Sequence, residues 1–130
     1  MIQRIQTVFL LLISIVSATG FFFLPPLNLS YFGLPVHISL EFYLILSGSI
    51  AFLTLMLFKK RKIQLIINRI HIVLQIILIL FLAHGLINSI TINTFLMWSI
   101  IPFLSMILLL LSSKAIRKDE DLIRSIDRLR

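Results

Sequence analysis

Apolar residues in this chain come in four long runs separated by short polar breaks. The runs cover residues 5–24, 40–58, 66–87 and 94–113. About 20 apolar residues in a helix span about 30 Å, the thickness of a bilayer's hydrocarbon layer. The pattern therefore predicts four transmembrane helices. Pro25-Pro26 ends the first, because neither residue has an N–H to donate. Residues 25–39 then form a loop, with Asn28, Tyr31, Gly33 and Pro35 supplying turn chemistry and an interfacial aromatic. Residues 88–93 form a second, shorter loop. Val16-Ser17-Ala18 after a basic start resembles a secretory cleavage site. Phe21-Phe22-Phe23-Leu24 carries the run past the roughly 7–15 residues of a signal core, so an uncleaved span is expected.

Polar residues within the runs are few, and their spacing is helical. Gln64, Asn68, His71 and Gln75 recur at intervals of four, three and four, which puts them on one helix face. Such a face should point into the bundle or line a cavity, not meet lipid. Ser47-Gly48-Ser49 and Ala51 make a small-residue patch that a neighbouring helix can approach closely. Pro102 should kink the fourth helix and leave the Trp98 carbonyl without its usual donor. Beyond residue 113 the pattern changes. Ile116, Leu122, Ile123, Ile126 and Leu129 fall broadly on one face among charged neighbours, predicting an amphipathic helix over 114–130. Glu120 and Arg124 have favourable i,i+4 spacing, and Arg124 and Asp127 are i,i+3.

Charge orients this picture. The net charge is +7, and all twelve Lys and Arg fall in three places. These are Arg4; the group Lys59, Lys60, Arg61, Lys62 and Arg69; and Lys114, Arg117, Lys118, Arg124, Arg128 and Arg130. Residues 5–58 and 70–113 contain none. By the positive-inside rule the three basic places are cytoplasmic, so both termini are expected inside with the loops at 25–39 and 88–93 outside. The expected fold is an all-α membrane protein: a four-transmembrane-helix bundle over 1–113, made of two parallel-oriented hairpins, with a cytoplasmic amphipathic tail over 114–130. Composition agrees, at 59% hydrophobic residues and a mean hydropathy of +1.09. The absence of cysteine excludes disulfides and thiol chemistry.

The two hairpins are also similar in sequence. Ile2-Gln3-Arg4-Ile5 matches Ile67-Asn68-Arg69-Ile70, and Ala18-Thr19-Gly20 matches Ala83-His84-Gly85, both at an offset of 65 residues. A duplication with its axis along the membrane normal accounts for this. Chance similarity in an Ile- and Leu-rich chain is the alternative.

The two ends of the chain carry a family resemblance. Met1-Ile2-Gln3-Arg4-Ile5-Gln6 opens the first run, and Lys118-Asp119-Glu120 through Arg124-Ser125 to Asp127-Arg128-Leu129-Arg130 closes the chain. With Gln64 and Asn68-Arg69 behind the basic cluster, these resemble an uncharacterised Bacteroidota family of small four-span membrane proteins, domain of unknown function 4293. The resemblance implies a bacterial inner-membrane protein. It transfers no activity and no functional residues.

Candidate chemistry is sparse. His37, Glu41 and His84 form the best constellation for a transition metal, against water-satisfied interfacial residues as the simpler reading. No nucleophile elbow is present, and acidic residues are nearly confined to the tail, so no enzyme and no cofactor is expected. The basic loop and tail (Lys59, Lys60, Arg61, Lys62, Arg69, Arg117, Lys118, Arg124, Arg128, Arg130) could meet anionic headgroups, ribosomal RNA or an acidic partner. The loop has no aromatic residue for base stacking, and the tail sets six cations against four anions, which argues against strong RNA binding. The leading expectation is an accessory or assembly subunit of a larger inner-membrane complex. The alternative is a small transporter or lipid-handling protein working through the Gln64/Asn68/His71/Gln75 face.

Overall fold

The computed structural model describes residues 2–24, 30–31, 34–58, 60–88 and 90–128, with side-chain environments for 5–24, 40–58, 60–87 and 90–125. Four helices dominate: α1 (Ile2–Phe23), α2 (Val36–Met56), α3 (Arg61–Asn88) and α4 (Ile92–Arg128). A minimal antiparallel ladder, β1 (Ser30–Tyr31) with β2 (Leu34–Pro35), leads into α2, with Ser30 opposite Pro35 and Tyr31 opposite Leu34. Three helices contain segments long and apolar enough to cross a membrane: Ile5–Phe23, Arg61–Ile87 and Ile92–Ser125. The described apolar part of α2, Leu40–Met56, is shorter at 17 residues, or about 25 Å.

Three boundaries differ from the expected ones. Helix α2 begins at Val36, inside the expected loop, because the β1–β2 ladder already reverses the chain. Helix α3 begins at Arg61, so Arg61 and Lys62 form its first turn instead of a loop. The Lys60 N–H bonds the Leu57 carbonyl at 2.9 Å, and the Lys60 carbonyl accepts from Ile63 and Gln64 at 3.0 and 3.1 Å. These bonds compress the turn. Helix α4 runs for 37 residues without a break through Pro102, so the fourth span and the tail are one element. It starts at a Thr91 cap, whose hydroxyl accepts from the Thr94 N–H at 3.4 Å.

Buried positions follow a heptad rhythm on every helix. They are Gln6, Leu10, Ile13, Ser17 and Gly20 on α1, and Leu40, Leu44, Ser47, Ala51 and Thr54 on α2. On α3 they are Gln64, Asn68, His71, Gln75, Leu78, Leu82 and Gly85; α4 contributes Trp98, Ile101, Ser105, Leu109, Ser112 and Ile116. Alternating steps of three and four are the spacing of knobs-into-holes bundles. At the offset of 65 residues, the five α1 positions fall on His71, Gln75, Leu78, Leu82 and Gly85, all buried. Leu40, Leu44, Ser47 and Ala51 likewise fall on Ser105, Leu109, Ser112 and Ile116, all buried. The two hairpins thus use equivalent faces. They are not equivalent in packing: α1 lies close to both α2 and α4, and α3 lies close to α4, whereas the neighbouring pair α2 and α3 is packed less closely than these three.

The exterior is apolar. Val8, Phe22, Leu53, Ile66, Leu80, Ile100 and Leu110 are all more than half exposed. A water-facing surface of that kind would be an aggregation liability. Against lipid it costs nothing, and helix association then depends on close packing and interhelical hydrogen bonds. The fold is that of a multi-pass membrane protein.

Candidate functional site

The interior alternates apolar and polar layers. At the end away from Lys60–Lys62, Leu40, Leu44, Leu78, Leu82, Trp98 and Ile101 pack together. Nearer the basic end, Leu10, Ile13, Ala51 and Leu109 form a second cluster. Where one cluster gives way to the other, Ser47 Oγ lies 2.8 Å from His71 Nε2. Gln75 Nε2 lies 3.2 Å from Ser47 Oγ and 3.0 Å from His71 Nε2. Ser17 donates to Ser47 at 3.3 Å. This knot joins α1, α2 and α3, and it bridges the loose α2–α3 seam. With Gln75 Nε2 donating to it, His71 Nε2 is the acceptor, which assigns the imidazole proton to Nδ1.

A second polar layer lies toward the basic end. Gln64 Nε2 donates to the Thr54 carbonyl at 2.8 Å, a carbonyl in the last turn of α2. Asn68 Nδ2 reaches Ser112 and Ser113 of α4 at 3.4 and 3.3 Å. Seven residues further along each helix, Arg61 pairs with Asp119 at 2.8 Å and donates to its carbonyl at 3.2 Å. Both contacts therefore keep one antiparallel register for two turns. Both charged side chains are under a fifth exposed. Arg124 pairs with Glu120 at 2.7 Å along α4.

Replacing His71 with leucine removes the centre of the middle knot and leaves Ser47 and Gln75 with fewer partners. The expected loss is at most about 2 kcal/mol, because interhelical hydrogen bonds in membranes are individually modest. In a double-mutant cycle of His71→Leu with Ser47→Ala, read by reversible unfolding in detergent, the double variant should lose less stability than the sum of the two single losses.

The expected site residues separate into four groups. Gln64, Asn68, His71 and Gln75 are at most 1% exposed and bonded to other helices or to one another. Lys60, Lys62, Arg69, Arg117, Lys118 and Arg124 are exposed, and Arg61 is half-buried against Asp119. Lys59, Arg128, Arg130 and His37 lie outside the residues whose side chains are described. Glu41 and His84 are exposed on different helices, and among the described residues no three metal-ligating side chains gather. Asp119, Ser17, Ser47 and Ser112 were not singled out by sequence as partners. For Ser17 and Ser112 the missing signal was the heptad step from Leu10 and from Ser105.

The sequence pattern of the family described as domain of unknown function DUF4293 matches residues 34–129. The chain belongs to this family. Comparison with curated proteins and with solved structures gave no match. The DUF4293 match spans α2, α3 and all of α4, and so includes the Arg61–Asp119 pair and both polar layers apart from Ser17.

Proposed function

We propose that this DUF4293 protein is a non-enzymatic accessory or assembly subunit of a larger membrane complex, crossing the inner membrane four times with both termini cytoplasmic. The observation that carries the reading is the unbroken run of α4 past the bilayer. Its 37 residues extend about 55 Å, some 25 Å beyond a hydrocarbon layer. The Arg61–Asp119 pair fixes the direction in which the projecting turns leave the bundle. Leu122 on those turns remains 44% exposed. An ordered charged helix with an uncovered apolar residue suits a specific protein contact. The concentration of cations at the same end supports a cytoplasmic assignment.

The transporter reading needs the α3 polar face to line a path. That face instead bonds to α2 and α4, which counts against transport.

Deleting residues 121–130 tests the proposal, since the cut leaves Arg61–Asp119 and the buried Ile116 in place. The truncated protein should lose only the helical content of residues 121–128 and with it a stoichiometric membrane partner on co-purification. Retention of the same partner at the same stoichiometry would contradict it, as would a full-length protein that always purifies alone.

A further inference from the structure

A cavity of about 580 Å³ opens at the basic end, between the start of α3 and the projecting part of α4. Its polar wall contains Lys60, Arg61, Lys62, Arg124 and Glu120. Arg61 is taken by Asp119 and Arg124 by Glu120, so those charges cancel in pairs. Lys60 and Lys62 have no ion-pair partner among the described residues, which leaves two uncompensated positive charges on one wall. The N-terminus of the 28-residue α3 opens at the same place and adds its positive dipole end. The remaining wall is apolar, with Ile63 at 41% and Ile123 at 43% exposure. Ile63 also begins the apolar stretch of α3, so the cavity lies where headgroups give way to acyl chains.

We propose that this cavity holds the phosphate headgroup of an anionic phospholipid, with Lys60 and Lys62 at the phosphate and Ile63 against the glycerol and upper acyl chains. The two ion pairs are the frame of the site. Arg61–Asp119 holds α4 beside the α3 N-terminus, and the two pairs together keep Asp119 and Glu120 from neutralising the lysines. Two free cations on one wall can both reach the single phosphodiester charge of a lipid such as phosphatidylglycerol. The proposal is independent of the accessory role, because it concerns the isolated protein and its lipid.

The test is lipid retention by the purified full-length chain in neutral detergent, read by native mass spectrometry with added phosphatidylglycerol, phosphatidylcholine or glycerol phosphate. A cation near a membrane surface favours anionic lipid about fivefold, so two give a preference of about 25-fold for phosphatidylglycerol over phosphatidylcholine. Lys60→Gln with Lys62→Gln should abolish the preference. Lys114→Gln with Arg117→Gln removes the same charge outside the cavity and should preserve it. Equal loss in both double variants would overturn the proposal, since the effect would then be general electrostatics. Displacement of the lipid by equimolar glycerol phosphate would overturn the lipid source. Both variants are at exposed positions, and unchanged helical content confirms that each is folded.

Discussion

Truncating Leu109 to alanine is expected to destabilise the bundle by about 2–4 kcal/mol, whereas the same change at Leu110 costs less than about 0.5 kcal/mol. The two residues are neighbours in sequence and identical in chemistry. Leu109 is fully buried against Leu10, Ile13 and Ala51, and Leu110 is 54% exposed on the lipid face. In a bilayer the Leu110 side chain meets acyl chains whether or not the helices associate, so shortening it changes little. Shortening Leu109 leaves a cavity that lipid cannot fill, and its neighbours lose their dispersion contacts. Reversible unfolding in mixed micelles measures both. Equal losses at the two positions would show that the heptad face is not the packed one.

Gly20→Leu is the second large effect, with an expected loss of about 3 kcal/mol. At Gly20, α1 packs directly against α4 and α2: a Cβ built there would overlap Ile101 Cδ1 and approach Leu44 Cδ1 to 3.6 Å. The Ile101 terminal methyl can swing aside for a single added carbon but not for a whole leucine side chain. Gly48 is the contrasting case. A Cβ there would meet Ser17 Cβ at 3.5 Å and the Ser14 carbonyl at 3.8 Å, which are ordinary contacts. Gly48→Ala is therefore expected to be neutral, or to stabilise by up to about 1 kcal/mol through helix propensity. Thermal unfolding of the two variants side by side separates a steric contact from a general preference for glycine.

Much of the architecture was legible because lipid imposes simple rules. Long apolar runs mark helices, and Gln64, Asn68, His71 and Gln75 share a face because steps of four, three and four leave no other helical arrangement. The partners of that face were less legible. Ser17, Ser47 and Ser112 are small and common, and each is defined as interior only by heptad steps that mix polar with apolar residues. The Arg61–Asp119 pair joins residues 58 apart in sequence. Local spacing pointed instead to Glu120–Arg124, which does form, but that bond stays within α4 and positions nothing else. The extent of the basic loop was overestimated because charge alone does not end a helix. Arg61 and Lys62 are good helix formers, and they extend α3 into the headgroup region, where long cationic side chains can reach water. The sequence repeat gained a structural counterpart at the buried positions. The weaker α2–α3 seam remained invisible, since it is a cavity of about 220 Å³ lined by residues from both helices, Leu40, Tyr43, Leu74, Ile77, Leu78 and Phe81, which no local spacing announces.

The central claim is that polar heptad positions join these helices across the membrane interior. It can be tested directly because the chain has no native cysteine. Ser17→Cys with Ser47→Cys places two thiols where the hydroxyl oxygens lie 3.3 Å apart. In native membranes, a membrane-permeant oxidant should convert this pair efficiently to an intramolecular disulfide. Ser17→Cys with Leu46→Cys, which turns the second thiol to the lipid face, should not react. A cross-link in the second pair and none in the first would place the polar stripe outside the bundle and contradict the account.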